Sequence, residues 1–126
     1  MKFHHIGIAT KDIDKTLDWV CGQFDIVTVS DKIYDKNQDA YLQMVETSDI
    51  NIELVSGNIV KKFVERNITY YHICYEVDDL DKSIFEFQQS MVISKPTNAV
   101  LFDNRRVAFI MTPIGIVELL ERKSVI

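Results

Sequence analysis

Thirteen residues near the N-terminus recur sixty-seven positions further on. HIGIATKDIDKTL, from His5 to Leu17, returns as HICYEVDDLDKSI, from His72 to Ile84. His5/His72, Ile6/Ile73, Asp12/Asp79, Asp14/Asp81 and Lys15/Lys82 match outright, and Ile13/Leu80, Thr16/Ser83 and Leu17/Ile84 match in kind. A second echo has nearly the same offset: Ile52-Glu53-Leu54-Val55 returns as Val117-Glu118-Leu119-Leu120. A repeat of this kind constrains the fold more than any local propensity, because both copies must adopt one structural unit. Each copy opens with a histidine and closes with a glutamate, which predicts a four-ligand site assembled from two halves.

The local patterns give that unit a shape. Ile6 and Ile8 alternate with His5, Gly7 and Ala9, the period of a half-buried strand, and the small neighbours leave space beside the His5 ring. Asp12 is placed to cap a helix running to about Cys21, with Gly22 as its stop. Its apolar stripe is Ile13, Leu17 and Val20, reproduced in the second copy as Leu80, Ile84 and Phe87. Strands are expected at about 24–30, 40–45 and 50–55, with a loop or hairpin over 31–39. A short amphipathic helix over 58–66 bridges the copies. The second copy reads as a strand at 71–77, a helix over 79–89, and strands near 91–94, 105–111 and 114–120. The expected fold is therefore α+β. Two tandem βαβββ modules, about 1–57 and 70–126, form a single domain with an open eight-stranded barrel-like sheet and helices outside.

Composition narrows the functional class. A chain of 126 residues with 47% hydrophobic and 26% charged residues is long enough for one well-buried core. A net charge of −5 without a basic block argues against a nucleic-acid or anionic-membrane surface. No apolar run reaches the roughly 20 residues of a spanning helix. The N-terminus lacks a signal-peptide core, and Cys21 and Cys74 form no CxxC, so a cytoplasmic protein with reduced thiols is expected.

His5, Glu53, His72 and Glu118 occupy matching points of four predicted strands. Two imidazoles and two carboxylates suit one borderline divalent ion, Zn²⁺, Ni²⁺, Co²⁺ or Mn²⁺, with positions left for water or substrate oxygens. Any one of these residues alone reads as ordinary strand chemistry; the register-matched repetition is what argues for a ligand set.

On the opening at His5, the repeat at His72 and the two Glu-Leu strands, the chain resembles the vicinal oxygen chelate superfamily, alongside glyoxalase I and methylmalonyl-CoA epimerase. The likeness covers about residues 3–122. It implies paired βαβββ modules, a metal held by His5, Glu53, His72 and Glu118, and a small carbonyl substrate such as an acyl-CoA or a hemithioacetal. It also implies a homodimer. The expected reaction is that of a lyase or isomerase: a proton moves on a carbon next to a carbonyl through a metal-stabilised enolate, with Glu118 or Glu53 as the catalytic carboxylate. Glu76 is a weaker candidate for that role. Gln43 falls where such epimerases resemble one another in an acid/base glutamate, and an amide cannot take that proton. Gln43, Phe102 and Arg106 are the candidate substrate-binding residues, with Asn104 and Arg105 beside the last. Cys74 reads as a packed thiol, and Trp19 as a helix-packing or dimer contact. The second reading is a small-molecule-binding module of the same fold without catalysis.

Overall fold

A computed structural model describes residues 1–123. Contacts divide the chain into two compact units, His5–Tyr71 and His72 onward, with Met1–His4 grouped with the latter.

In the first unit, β1 (Lys2–Ala9) leads into α1 (Ile13–Gln23), then β2 (Ile26–Val29), β3 (Ile33–Asp35), β4 (Ala40–Thr47) and β5 (Asn51–Gly57). A 3₁₀ turn (Asn58–Val60) and α2 (Lys61–Glu65) follow. The strand order is β2-β4-β5-β1, and β3 forms a hairpin on β4. The second unit has β6 (Tyr70–Val77), α3 (Leu80–Glu86), β7 (Met91–Ala99), a 3₁₀ turn (Val100–Phe102), β8 (Arg105–Thr112) and β9 (Gly115–Glu121), ordered β6-β9-β8-β7. Each unit follows the βαβββ plan of an α+β chain.

There are nine strands among the described residues, one more than the eight expected. The extra one is β3, in the polar stretch read as a loop or hairpin. Its Asp35 carboxylate is buried and accepts from the Asn37 backbone N–H at 2.9 Å and the Gln38 amide at 3.0 Å, which closes the 31–39 turn on itself.

Asp12 caps α1 by accepting from the Lys15 N–H at 3.2 Å, and Asp79 caps α3 by accepting from the Lys82 N–H at 3.1 Å. The repeat thus encodes the same start twice. The stops differ from expectation. Helix α1 runs through Gly22 to Gln23, and the chain turns extended only at Phe24, whose N–H still reaches the Val20 carbonyl at 3.0 Å. Helix α3 ends at Glu86 rather than near 89, and Phe87 is already extended. The predicted bridging helix splits into the 3₁₀ turn and a five-residue α2.

The two helix stripes cover the same face of their respective sheets. Ile13 and Val20, with Leu17, pack on Val45, Ile52 and Leu54. Leu80, with Ile84 and Phe87, packs on Ala108, Ile110, Val117 and Leu119. Each fully buried Leu or Val contributes about 1.5–3 kcal/mol to keeping the helix on its sheet. The other face of each sheet is left to carry chemistry.

Candidate functional site

Parity along the strands decides which side chains share that other face. In the first unit β1 runs parallel to β5, with Gly7 opposite Glu53. Successive side chains alternate, so His5, two residues before Gly7, projects to the side of Glu53. In the second unit β6 runs parallel to β9 with Cys74 opposite Glu118, and His72 stands two residues before Cys74. The antiparallel partners repeat as well: Met44 lies opposite Glu53, and Phe109 opposite Glu118.

Side-chain geometry agrees with the register. His5 Nε2 lies 3.6 Å from Glu53 Oε1, with His5 fully buried and Glu53 3% exposed. His72 Nε2 lies 3.1 Å from Glu118 Oε1, and both are buried. The Phe109 ring stands edge-on to the His72 imidazole at 5.3 Å between centroids, an arrangement that fixes the plane of the imidazole. Each unit therefore holds one imidazole nitrogen and one carboxylate oxygen side by side, away from water. Buried carboxylates are costly unless they face a cation or a donor. Cys74, at the position matching Gly7, is fully buried and forms no disulfide.

The remaining candidates fall elsewhere. Gln43 pairs with Leu54, one step out of phase with Glu53, so it shares the helix-covered face with Val45 and Ile52. Its Nε2 donates to the Ser30 carbonyl at 2.8 Å, and its Oε1 is buried with no hydrogen-bond partner. Gln43 thus closes the β2 side of the sheet, and the side chain across from Glu53 is the thioether of Met44.

Arg106 also lies on the helix-covered face. It bonds Asp81 of α3 at 3.1 Å and lies 3.6 Å from Glu121, and Asp81 holds its guanidinium above the usual arginine range. The basic residue on the face of Glu118 is Arg105, four positions from Phe109. Its Nη1 donates to Glu76 Oε2 at 3.0 Å, and both side chains are mostly covered. Glu76 is itself four residues beyond His72, on the same side of β6. The register of β8 on β9 separates the two arginines: Phe109 lies opposite Glu118, and 105 has the parity of 109 while 106 does not.

Phe102 is buried, edge-on to the His4 ring at 5.3 Å, with the Arg105 guanidinium carbon 6.0 Å from its ring centre. Trp19 is 61% exposed and meets Phe24 edge-on at 6.1 Å, so it does not join the α1 stripe.

Solved structures share this fold. Methylmalonyl-CoA epimerase from Mycobacterium tuberculosis aligns with a TM-score of 0.80 at 18% identity, over 98% of this chain and 89% of that one. A hypothetical protein, BH1468, from Bacillus halodurans C-125 aligns with a TM-score of 0.75 at 22% identity, over 99% and 96%. A second methylmalonyl-CoA epimerase structure aligns with a TM-score of 0.73 at 13% identity, over 98% and 97%. Among curated proteins no relative matches. Residues 4–109 match the sequence profile of one family, which takes in β1, both capped helices and β5, and by that match the chain belongs to the glyoxalase/bleomycin resistance protein/dioxygenase superfamily.

Proposed function

We propose that this chain is a divalent-metal-dependent enzyme of the glyoxalase I or methylmalonyl-CoA epimerase type. It moves a proton on a carbon adjacent to a carbonyl, with His5, Glu53, His72 and Glu118 holding one ion. The observation that carries the reading is the doubled half-site: an imidazole Nε2 next to a carboxylate oxygen, at 3.6 Å in one copy and 3.1 Å in the other, both buried and in identical register. Each of the four offers one nitrogen or oxygen donor. Two neutral imidazoles and two carboxylates fit Zn²⁺, Ni²⁺, Co²⁺ or Mn²⁺, and the carboxylates offset the ion's charge. Membership of a superfamily that includes metal-dependent enzymes supports the same choice.

When bound, the ion supplies Lewis-acid polarisation of the substrate carbonyl. The chain's own residues do the rest. Glu53 or Glu118 takes the α-proton on a carboxylate oxygen, and the same carboxyl group, after its proton has exchanged with solvent, returns one to carbon. Met44 and Phe109, opposite the two glutamates, form apolar walls that limit where the substrate can lie. An acyl-CoA or hemithioacetal substrate follows from the same likeness, as does a homodimeric assembly.

α-Proton exchange in D₂O tests the reading. Incorporation of deuterium next to the carbonyl of methylmalonyl-CoA or of a methylglyoxal–thiol hemithioacetal, dependent on added metal, is the expected result. Stoichiometric metal with no exchange on either substrate would sink the catalytic claim.

A second reading, a small-molecule-binding module without turnover, is favoured by one observation. No ionisable side chain from β4 or β8 stands directly across from either glutamate: Met44 and Phe109 occupy those positions. Tight binding of a carbonyl ligand without exchange would select it.

A further inference from the structure

The two copies differ at several positions on the ligand-bearing face, and at one pair of them the difference is an ion pair. The residues of the first unit that match Glu76 and Arg105 in register are Ala9 and Ala40, both buried and both without charge. The second unit places an ion pair where the first has methyl groups. Arg105 Nη1 donates a single bond to Glu76 at 3.0 Å, with the side chains 16% and 20% exposed. The guanidinium lies over the Phe102 ring at 6.0 Å.

We infer that Arg105 is the anchor for a second, distal anionic group on the substrate, a carboxylate or phosphate, and that Glu76 is its internal stand-in until the substrate arrives. A guanidinium carries five N–H donors in a planar fork made for two-oxygen anions. Glu76 is reached through only one of those nitrogens, so it occupies one arm of the fork and leaves the rest to an incoming anion. Contact with an aromatic face holds the plane of the guanidinium and reduces the ordering cost of binding. Arg105 lies four residues from Phe109, so about 13 Å of strand rise separates it from the level of Glu118. The anchored group is therefore remote from the reacting carbon and sets which substrates are accepted rather than how they react.

This inference rests on the metal-site reading for the location of the reacting carbon, but the anion anchor is testable without metal. Isothermal titration of the metal-free protein with inorganic phosphate and, separately, with succinate separates the two anion classes. Binding by wild type should be weak, because Glu76 competes for the fork. Glu76→Gln should tighten one of the two anions by about tenfold, and adding Arg105→Met to that variant should remove the gain. Arg105→Lys, which keeps the charge but loses the fork, should retain only part of it. Thermal melts of each variant establish that it is folded. A parallel Zn²⁺ titration of wild type and Arg105→Met should give the same affinity. If Zn²⁺ fails to bind while the anion pattern appears, the metal reading falls and the anchor stands. No tightening in folded Glu76→Gln, or tightening that survives Arg105→Met, would overturn the anchor whatever the metal does.

Discussion

The Nε2 atom of His72 and the Oε1 atom of Glu118 lie 3.1 Å apart with almost no solvent contact, and the residues that bear them are forty-six positions apart in the chain. Parallel pairing of β6 with β9 brings them together: Cys74 registers with Glu118, and one alternation back along β6 is His72. The first unit builds His5 and Glu53 by the same rule on β1 and β5.

Metal binding should depend on all four of these residues. The wild-type chain is expected to take up about one Zn²⁺, and a hundredfold excess over the dissociation constant should stabilise it by about 2.7 kcal/mol. His5→Ala, His72→Ala and Glu118→Gln should each weaken binding beyond the roughly 10–100-fold that loss of an outer-shell partner costs. Because the imidazoles must be neutral to bind, uptake should release protons and weaken as pH falls. Titration calorimetry in two buffers of different ionisation enthalpy reads both effects.

Gln43→Glu provides a direct check on the face assignment. If position 43 faced the glutamates, a carboxylate there would supply an acid/base group and raise exchange activity. The register instead puts it beneath α1, beside Val45 and Ile52, where a charge lacks compensation. The expected result is a loss of about 1–3 kcal/mol at neutral pH, with no gain in deuterium exchange. Urea unfolding at pH 7 and pH 4.5 should show the loss shrinking at the lower pH, where the introduced carboxyl is neutral.

Two glycines should respond oppositely to alanine. Gly57 has φ +113°, and a Cβ there would meet the Asp39 carbonyl oxygen at 2.9 Å and the Ala40 Cα at 3.1 Å. Gly57→Ala should cost about 1–3 kcal/mol. Gly22 lies within α1 with nothing near its would-be Cβ. Gly22→Ala should stabilise by roughly 0.5–1 kcal/mol through helix propensity. Thermal unfolding of the two variants checks both signs.

Tyr34 should be a late-titrating tyrosine. Its hydroxyl donates to Asp39 Oδ1 at 2.6 Å, and that bond to a carboxylate raises its pKa above the ordinary 10.0. The neutral phenol is the form favoured in the folded chain, so the contribution is present below pH 10 and disappears as pH rises through the elevated value. Ultraviolet titration should show Asp39→Asn returning this group toward the other tyrosines.

Arg106→Ala should change stability little, because the Arg106 guanidinium and its main partner Asp81 are both exposed to water. It should leave metal uptake unaltered, as measured by the same calorimetry.

The sequence by itself determined the duplicated unit, the two Asp caps, the helix stripes and the four candidate donors, because each follows from a short-range period or from repetition. It could not determine the ends of α1 and α3. Gly22 lacks a side chain to oppose the helix, and Ile84 and Phe87 satisfy the stripe whether or not the helix continues past Glu86. Nor could it separate Gln43 from Met44, or Arg106 from Arg105. In strands a single step of register exchanges the two faces, and register is fixed only when β5 binds β4 and β9 binds β8. Burial chose that register by placing Val45, Leu54, Ala108 and Leu119 beneath the helices, and Glu53, Glu118 and Arg105 were carried to the other side as a consequence.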